Sequence, residues 1–109
     1  MDSSSSYLHA KPTLRDLLFP DGAAIGRPGD QKRVRVVEGG KDEARELFDQ
    51  LTQEGEVVLE TDELVRVRLP GGGGWINYKT KMGPLSPNTV VTIDVHVPGL
   101  PIRKVKFEP

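Results

Sequence analysis

From residue 64 onward the chain alternates between apolar and polar side chains. Residues 64–69, 75–81, 89–97 and 102–107 each carry a period of two, which predicts strands with one buried face, and the apolar run of 56–60 reads as a short strand before them. Between them lie turn-forming runs: Pro70-Gly71-Gly72-Gly73-Gly74, Gly83-Pro84-Leu85-Ser86-Pro87-Asn88 and Pro98-Gly99-Leu100-Pro101. Upstream the period is helical. Ala44, Leu47, Phe48 and Leu51 fall at i, i+3, i+4 and i+7, one face of a helix over about 41–53. Asp42 and Glu43 stand in its first turn, where they suit the helix dipole. Gly55 is placed to end it.

The N-terminal third is less regular. Residues 33–38 form a short strand candidate, Val34 and Val36 alternating with Arg33 and Arg35. Residues 13–19 suit one helical turn, capped by Thr13, with Leu14, Leu17 and Leu18 on one side and Pro20 as its stop. Residues 20–31 read as loop. Residues 1–12 begin Ser-rich and polar and read as a disordered or linker segment. The remainder, 13–109, is expected to be a single domain of α+β class: an N-terminal helical segment packed on one face of a four- to five-stranded twisted antiparallel sheet.

Sorting each strand by alternation separates two faces. Val65, Val67, Leu69, Ile76, Tyr78, Val91, Ile93, Val95, Val97, Val105 and Phe107 share one side, for which the helix stripe is the natural cover. The other side carries Arg66, Arg68, Trp75, Asn77, Lys79, Lys81, Thr92, Asp94, His96, Lys104 and Lys106. That face has a single carboxylate among its cations. Like charges on adjacent strands repel when unpaired, and an anionic partner, a phosphate backbone or an acidic protein, would offset the repulsion.

Composition narrows the chemistry. The 109 residues include no cysteine, which excludes a disulfide framework, a thiolate metal site and a Cys nucleophile. The two histidines, far apart in sequence, do not suggest a metal site. No run of about 18 apolar residues occurs, so no transmembrane helix is expected, and the N-terminal residues lack the pattern of a secretory signal. The formal net charge is −1, yet residues 1–63 carry 8 basic and 14 acidic groups while residues 64–109 carry 7 and 2. The cationic half is the strand half.

Candidate chemistry concentrates there. His96 titrates near neutral pH and suits proton transfer. Asp94 and Thr92 share its strand face. Lys79, Lys81 and Ser86 flank the second loop, where a cation can stabilise charge on a phosphorane and a hydroxyl can hold a phosphate oxygen. Thr89 opens the longest strand. Trp75 follows the glycine run and could stack a base. The glycine run lacks the Lys-Ser/Thr of a phosphate-binding loop and precedes a strand. Each residue also has a bland reading: solvated sheet face, loop polarity, β-propensity or core cap.

The helix of residues 44–51, the hairpin after it, Tyr78-Lys79, Gly83-Pro84 to Ser86-Pro87, Thr89, Ile93-Asp94, Pro98-Gly99 and the terminal Ile102-Arg103-Lys104-Val105-Lys106-Phe107 together resemble the C-terminal toxin domains of bacterial polymorphic and contact-dependent toxins. The resemblance covers about residues 25–108. Such domains end Rhs-type and related secreted effectors, and many share the fold of barnase, EndoU and colicin ribonucleases. It implies a metal-independent endoribonuclease, often aimed at tRNA, delivered into the cytoplasm of a target cell and neutralised by a cognate immunity protein. Lys79 matches the family's basic residue, Ser86 and Thr89 its hydroxyls and Asp94 its acid.

The expected reaction is attack of a ribose 2′-OH on the adjacent phosphate. His96 or Lys79 manages the proton, Lys81 or Arg66 stabilises the equatorial oxygens, and Ser86 or Thr89 orients the phosphate. Arg66, Arg68, Trp75, Lys81, Lys104 and Lys106 hold RNA, no cofactor or metal is needed, and the domain acts as a monomer away from membranes. Two alternatives stand beside it: a non-catalytic module docking an acidic partner through the cationic face, and a toxin that degrades free nucleotides or NAD.

Overall fold

A computed structural model of the protein describes residues 13–84 and 86–109. The expected linker, 1–12, lies outside the described residues, as does Leu85. Helix α1 (Leu14–Leu18) starts from a reciprocal cap: the Asp16 N–H donates to Thr13 Oγ1, and the Thr13 N–H donates to Asp16 Oδ2, both at 3.1 Å. Leu18 is fully buried. Strands β1 (Arg27–Pro28) and β2 (Val34–Glu38) pair antiparallel around a tight turn. Helix α2 (Lys41–Leu51) follows, its first turn closed by the Gly40 N–H donating to Glu43 Oε1 at 2.7 Å. Strands β3 (Glu56–Glu60), β4 (Leu64–Arg68), β5 (Trp75–Lys79), β6 (Val91–His96) and β7 (Lys104–Glu108) complete the chain.

All seven strands join one sheet in the order β1-β2-β7-β6-β5-β4-β3. Neighbours are antiparallel except β2 and β7, which run parallel, with Val34 opposite Lys104 and Glu38 opposite Glu108. This corrects the sequence expectation on three points. The sheet has seven strands and not four or five. It is mixed and not antiparallel throughout. The helix that covers it does not precede the sheet but lies between β2 and β3. The physical cause is non-local. Alternation identifies a strand but not its partner, and β2 finds β7 across most of the chain. In β1, two residues including a proline carry no strand period at all.

The apolar faces of α1 and α2 lie on one side of this sheet. Ala44, Phe48 and Leu51 of α2 and Leu18 of α1 pack with Val65, Val67, Ile76, Tyr78, Val91, Ile93, Val95, Val105 and Phe107. Phe48 meets Tyr78 with ring centroids 5.4 Å apart. In β2 the alternation is inverted relative to this core. The parallel register sets Val34 and Val36 beside Lys104 and Lys106, and the turn after β1 lies against Val34, with Gly29 facing its side chain. Arg35 stands on the opposite side and donates to the carbonyls of Ile25 (2.8 Å) and Gly26 (3.1 Å).

The β4–β5 turn brings Gly74 against the backbone carbonyl of His96, where a Cβ would collide, at φ +93°. Gly71, in the same turn at φ +65°, faces open space. Gly71→Ala is therefore expected to cost about 1–2 kcal/mol, the left-handed backbone term alone. Gly74→Ala adds a backbone clash and should cost roughly 3 kcal/mol or more. Urea melts of the two variants measure the difference, and equal costs would show that the close approach to His96 is not rigid.

Candidate functional site

The face of the sheet turned away from α2 carries the polar set. The strand registers place Arg66, Asn77, Asp94 and Lys104 in one row across β4, β5, β6 and β7. Arg68, Trp75 and His96 form the row above, and Leu64, Lys79, Thr92 and Lys106 the row below. Arg66, Lys79, His96 and Lys104 thus project from one side of a single layer.

The upper row is a stack. Trp75 and His96 lie with ring centroids 3.7 Å apart and planes 25° from parallel. The Arg66 guanidinium sits 4.4 Å from the indole centroid and donates through Nε to Asn77 Oδ1 at 3.0 Å. Because β4 and β6 flank β5 on opposite sides, Arg66 and His96 enclose the indole between them. This changes the role expected of Trp75. Its two π-faces are occupied by the protein's own cation and imidazole, so an incoming base meets the outer plane of His96 or Arg66. Beside the stack opens a cleft of about 560 Å³ lined by Glu56, Arg68, Gly72, Gly74 and Trp75 among others.

The middle row centres on Asp94, which is 8% exposed. Its Oδ2 lies 3.9 Å from Lys79 Nζ and its Oδ1 3.9 Å from Lys104 Nζ. One carboxylate therefore serves two lysines. At the lower end Lys106 Nζ donates to Ser86 Oγ at 3.0 Å, in a small hollow of about 200 Å³ shared with Asp30, Gln31, Val34 and Lys104. Thr92 donates to Met82 Sδ at 3.1 Å. Thr89 is buried, and its hydroxyl has no hydrogen-bond partner among the described residues.

The expected site residues accordingly divide. His96, Trp75, Arg66, Asp94 and Lys104 gather at the upper and middle rows. Lys79 borders this group through Asp94, while its own β6 neighbour is Thr92. Ser86 and Lys106 form a separate pair at the opposite end of the face. Lys81 lies beyond β5, 4.0 Å from Glu63, and Arg68 turns to Glu56 at 2.9 Å on the neighbouring edge strand. The face is thus not one carboxylate among unpaired cations: Glu56 and Glu63 supply counter-charges from residues that were not grouped with it. Sequence alternation also missed Arg103. The pattern of residues 102–107 sets it on the side of Val105 and Phe107, yet in the structure it stands just before β7 and its charge acts on His96.

That charge helps to hold the imidazole neutral. The His96 pKa lies below its ordinary 6.5, first because burial disfavours the cation; Asp94 opposes the shift, while Arg103, Arg66 and Lys104 reinforce it. A neutral imidazole at pH 7 can accept a proton. Among the described residues, no group of three His, Cys, Asp or Glu side chains could hold a metal ion, and no helix is long and apolar enough to cross a membrane.

No protein-family model matches the chain, and no curated protein or solved structure matches it either. Function is therefore read from the side chains themselves.

The depressed His96 pKa has a definite consequence. Between the folded value and 6.5 the unfolded chain binds more protons than the folded one, so the contribution of His96 to stability is complete above 6.5 and is lost as pH falls through the folded value. An NMR titration should place the His96 ring midpoint below 6.5. On acidification from about pH 7 to about pH 5, His96→Gln should lose less melting temperature than the wild type. A midpoint at or above 6.5 contradicts the arrangement described.

Proposed function

We propose that the polar face binds RNA and cleaves it by metal-independent transfer of the phosphate to the neighbouring ribose 2′-OH. The observation that carries this reading is the stacked Arg66–Trp75–His96 cluster one residue pair above Asp94 and its two lysines. A neutral base, a fixed guanidinium and flanking ammonium groups stand together on an open surface. His96 and Lys104 are diagonal neighbours across β6 and β7, a spacing of roughly 7–8 Å, which leaves room for a phosphate between them.

In this mechanism His96 takes the 2′-OH proton as the 2′-oxygen attacks phosphorus. Lys104 stabilises the equatorial oxygens, and Arg66, across the indole from His96, holds a neighbouring backbone phosphate. The P–O5′ bond breaks, and the departing 5′-oxygen takes a proton from a lysine beside Asp94 or from water, leaving a 2′,3′-cyclic phosphate. Lys79 and Asp94 set the charge around the reacting phosphate, and Lys81, Arg68 and Lys106 hold the flanking backbone. Ser86, engaged by Lys106, orients a phosphate further along the strand and not at the reacting centre; buried Thr89 is assigned no contact with RNA. As part of a delivered effector, the domain would act on tRNA in the cytoplasm of a target cell and be silenced by a cognate immunity protein.

Incubation with total tRNA in excess EDTA, followed by a denaturing gel and end-group analysis, tests the proposal. Discrete fragments with 2′,3′-cyclic phosphate ends are expected, with His96→Gln slower by about 10²–10⁴-fold, as for loss of a general base. Intact RNA retained on the protein in a salt-sensitive manner would replace the enzyme with a binding module. Intact tRNA with cleaved free nucleotides or NAD would move the chemistry to small substrates.

A further inference from the structure

The two edges of the sheet differ. At one end β1 is two residues long and contains Pro28, which offers no backbone donor; such an edge resists an incoming strand. At the other end β3 has five residues, no proline, and every side chain exposed. No further strand lies beyond it among the described residues. Val57, Val58 and Leu59 are the large apolar side chains left exposed on the described surface, at 56%, 46% and 42%. The β3–β4 register shifts between Val57 and Leu59, and these residues stay exposed.

The charge around this edge has one sign. Glu54, Glu56, Glu60, Asp62 and Glu63 cluster there, and no Lys or Arg occurs between residues 46 and 63. Glu56 and Glu63 meet Arg68 and Lys81, while Glu60 and Asp62 have no ion-pair partner among the described residues.

A second copy of the chain fits poorly. Antiparallel pairing of two β3 strands centred on Val57 sets Glu54 opposite Glu60. Centring on Val58 sets Glu56 opposite Glu60, and centring on Leu59 sets Glu56 opposite Asp62. In-register parallel pairing stacks each glutamate on itself. Every such arrangement puts like charges face to face, which is destabilising.

We infer that β3 is a docking edge for an extended segment of a second protein, apolar or β-branched at its centre and flanked by Lys or Arg. The segment adds as an eighth strand. Backbone hydrogen bonds along the open edge supply affinity, and the apolar centre covers Val57, Val58 and Leu59. Its basic residues at the end beside Glu60 and Asp62 meet those carboxylates, which selects against a second copy of the chain. The surface does not rest on the RNA reading.

The full chain, isotope-labelled, is titrated with the synthetic peptide acetyl-Lys-Lys-Val-Thr-Val-Thr-Val-Lys-Lys-amide and with the same peptide carrying Glu for every Lys. Saturable amide shifts confined to β3 and its flanks are expected for the lysine peptide, with at least roughly tenfold weaker binding of the glutamate peptide. Val58→Pro should abolish the shifts. Because that change can disturb β3 itself, Glu60→Lys is measured beside it: the backbone stays intact, and binding should weaken several-fold. Absence of shifts, equal binding of both peptides, indifference to Glu60→Lys, or self-association through β3 in sedimentation overturns the inference.

Discussion

The pairing of β5 with β6 is the constraint on which the remaining structure depends. With Ile76 opposite Val95 and Tyr78 opposite Ile93, both strands turn their apolar members toward α2. The same register sets Trp75 against His96 and Asn77 against Asp94 on the far side. A slip of one residue would exchange the faces. Asp94 would then enter the layer now filled by Val95, Ile93 and Phe48, and the stack would be dismantled. Burial of the core thus holds the polar cluster in place, although no polar residue contributes to that burial. Gly74 adds a local lock: the turn can approach the His96 carbonyl this closely only without a side chain.

The electrostatics of the polar face follow from which strands border it. Asp94 lies between Lys79 and Lys104 because β5 and β7 both flank β6. Arg68 finds Glu56 because β3 turns back along β4. The charges are therefore largely satisfied within the protein, and the face does not need an anion merely to relieve repulsion. What it offers is arrangement: a planar cation, an indole and a neutral imidazole held in contact, with ammonium groups one position away. An RNA phosphate would compete with Asp94 for Lys104, so binding there exchanges one anion for another and does not add a wholly new charge pair.

Much of this was legible in the sequence, for a physical reason. Side-chain alternation is local, so the strands of residues 64–108 and the membership of their two faces could be read directly. The stripe Ala44, Leu47, Phe48 and Leu51 likewise declared α2. What depends on distant pairing could not be read. The parallel β2–β7 contact leaves no mark in either segment, and it alone decides that Val34 and Val36 lie on the side of Lys104 and Lys106. The enclosure of Trp75 needed two strands at once, and so did the Glu56–Arg68 ion pair. Alternation in the expected strand 102–107 puts Arg103 on the side of Val105 and Phe107, and only the irregular backbone before β7, which begins at Lys104, lets its charge act on His96.

The two faces also differ in what they cost to alter. Truncating Phe48 to Ala would remove about 3–5 kcal/mol, a large part of the 5–15 kcal/mol that typically holds a domain together. The ion pairs of the polar face are each worth about 0–1 kcal/mol, since their lysine and arginine members remain substantially exposed. His96, only partly buried, can be replaced at the modest cost of its contact with Trp75, whereas Arg66, which donates to buried Asn77, and Asn77 and Asp94, both buried, cannot be treated so freely. Loss of RNA chemistry on changing His96 would accordingly report on the reaction and not on the fold, while the same loss on changing Asp94 would confound the two. It is the near-independence of the cationic surface from the apolar core that lets function be tested one side chain at a time.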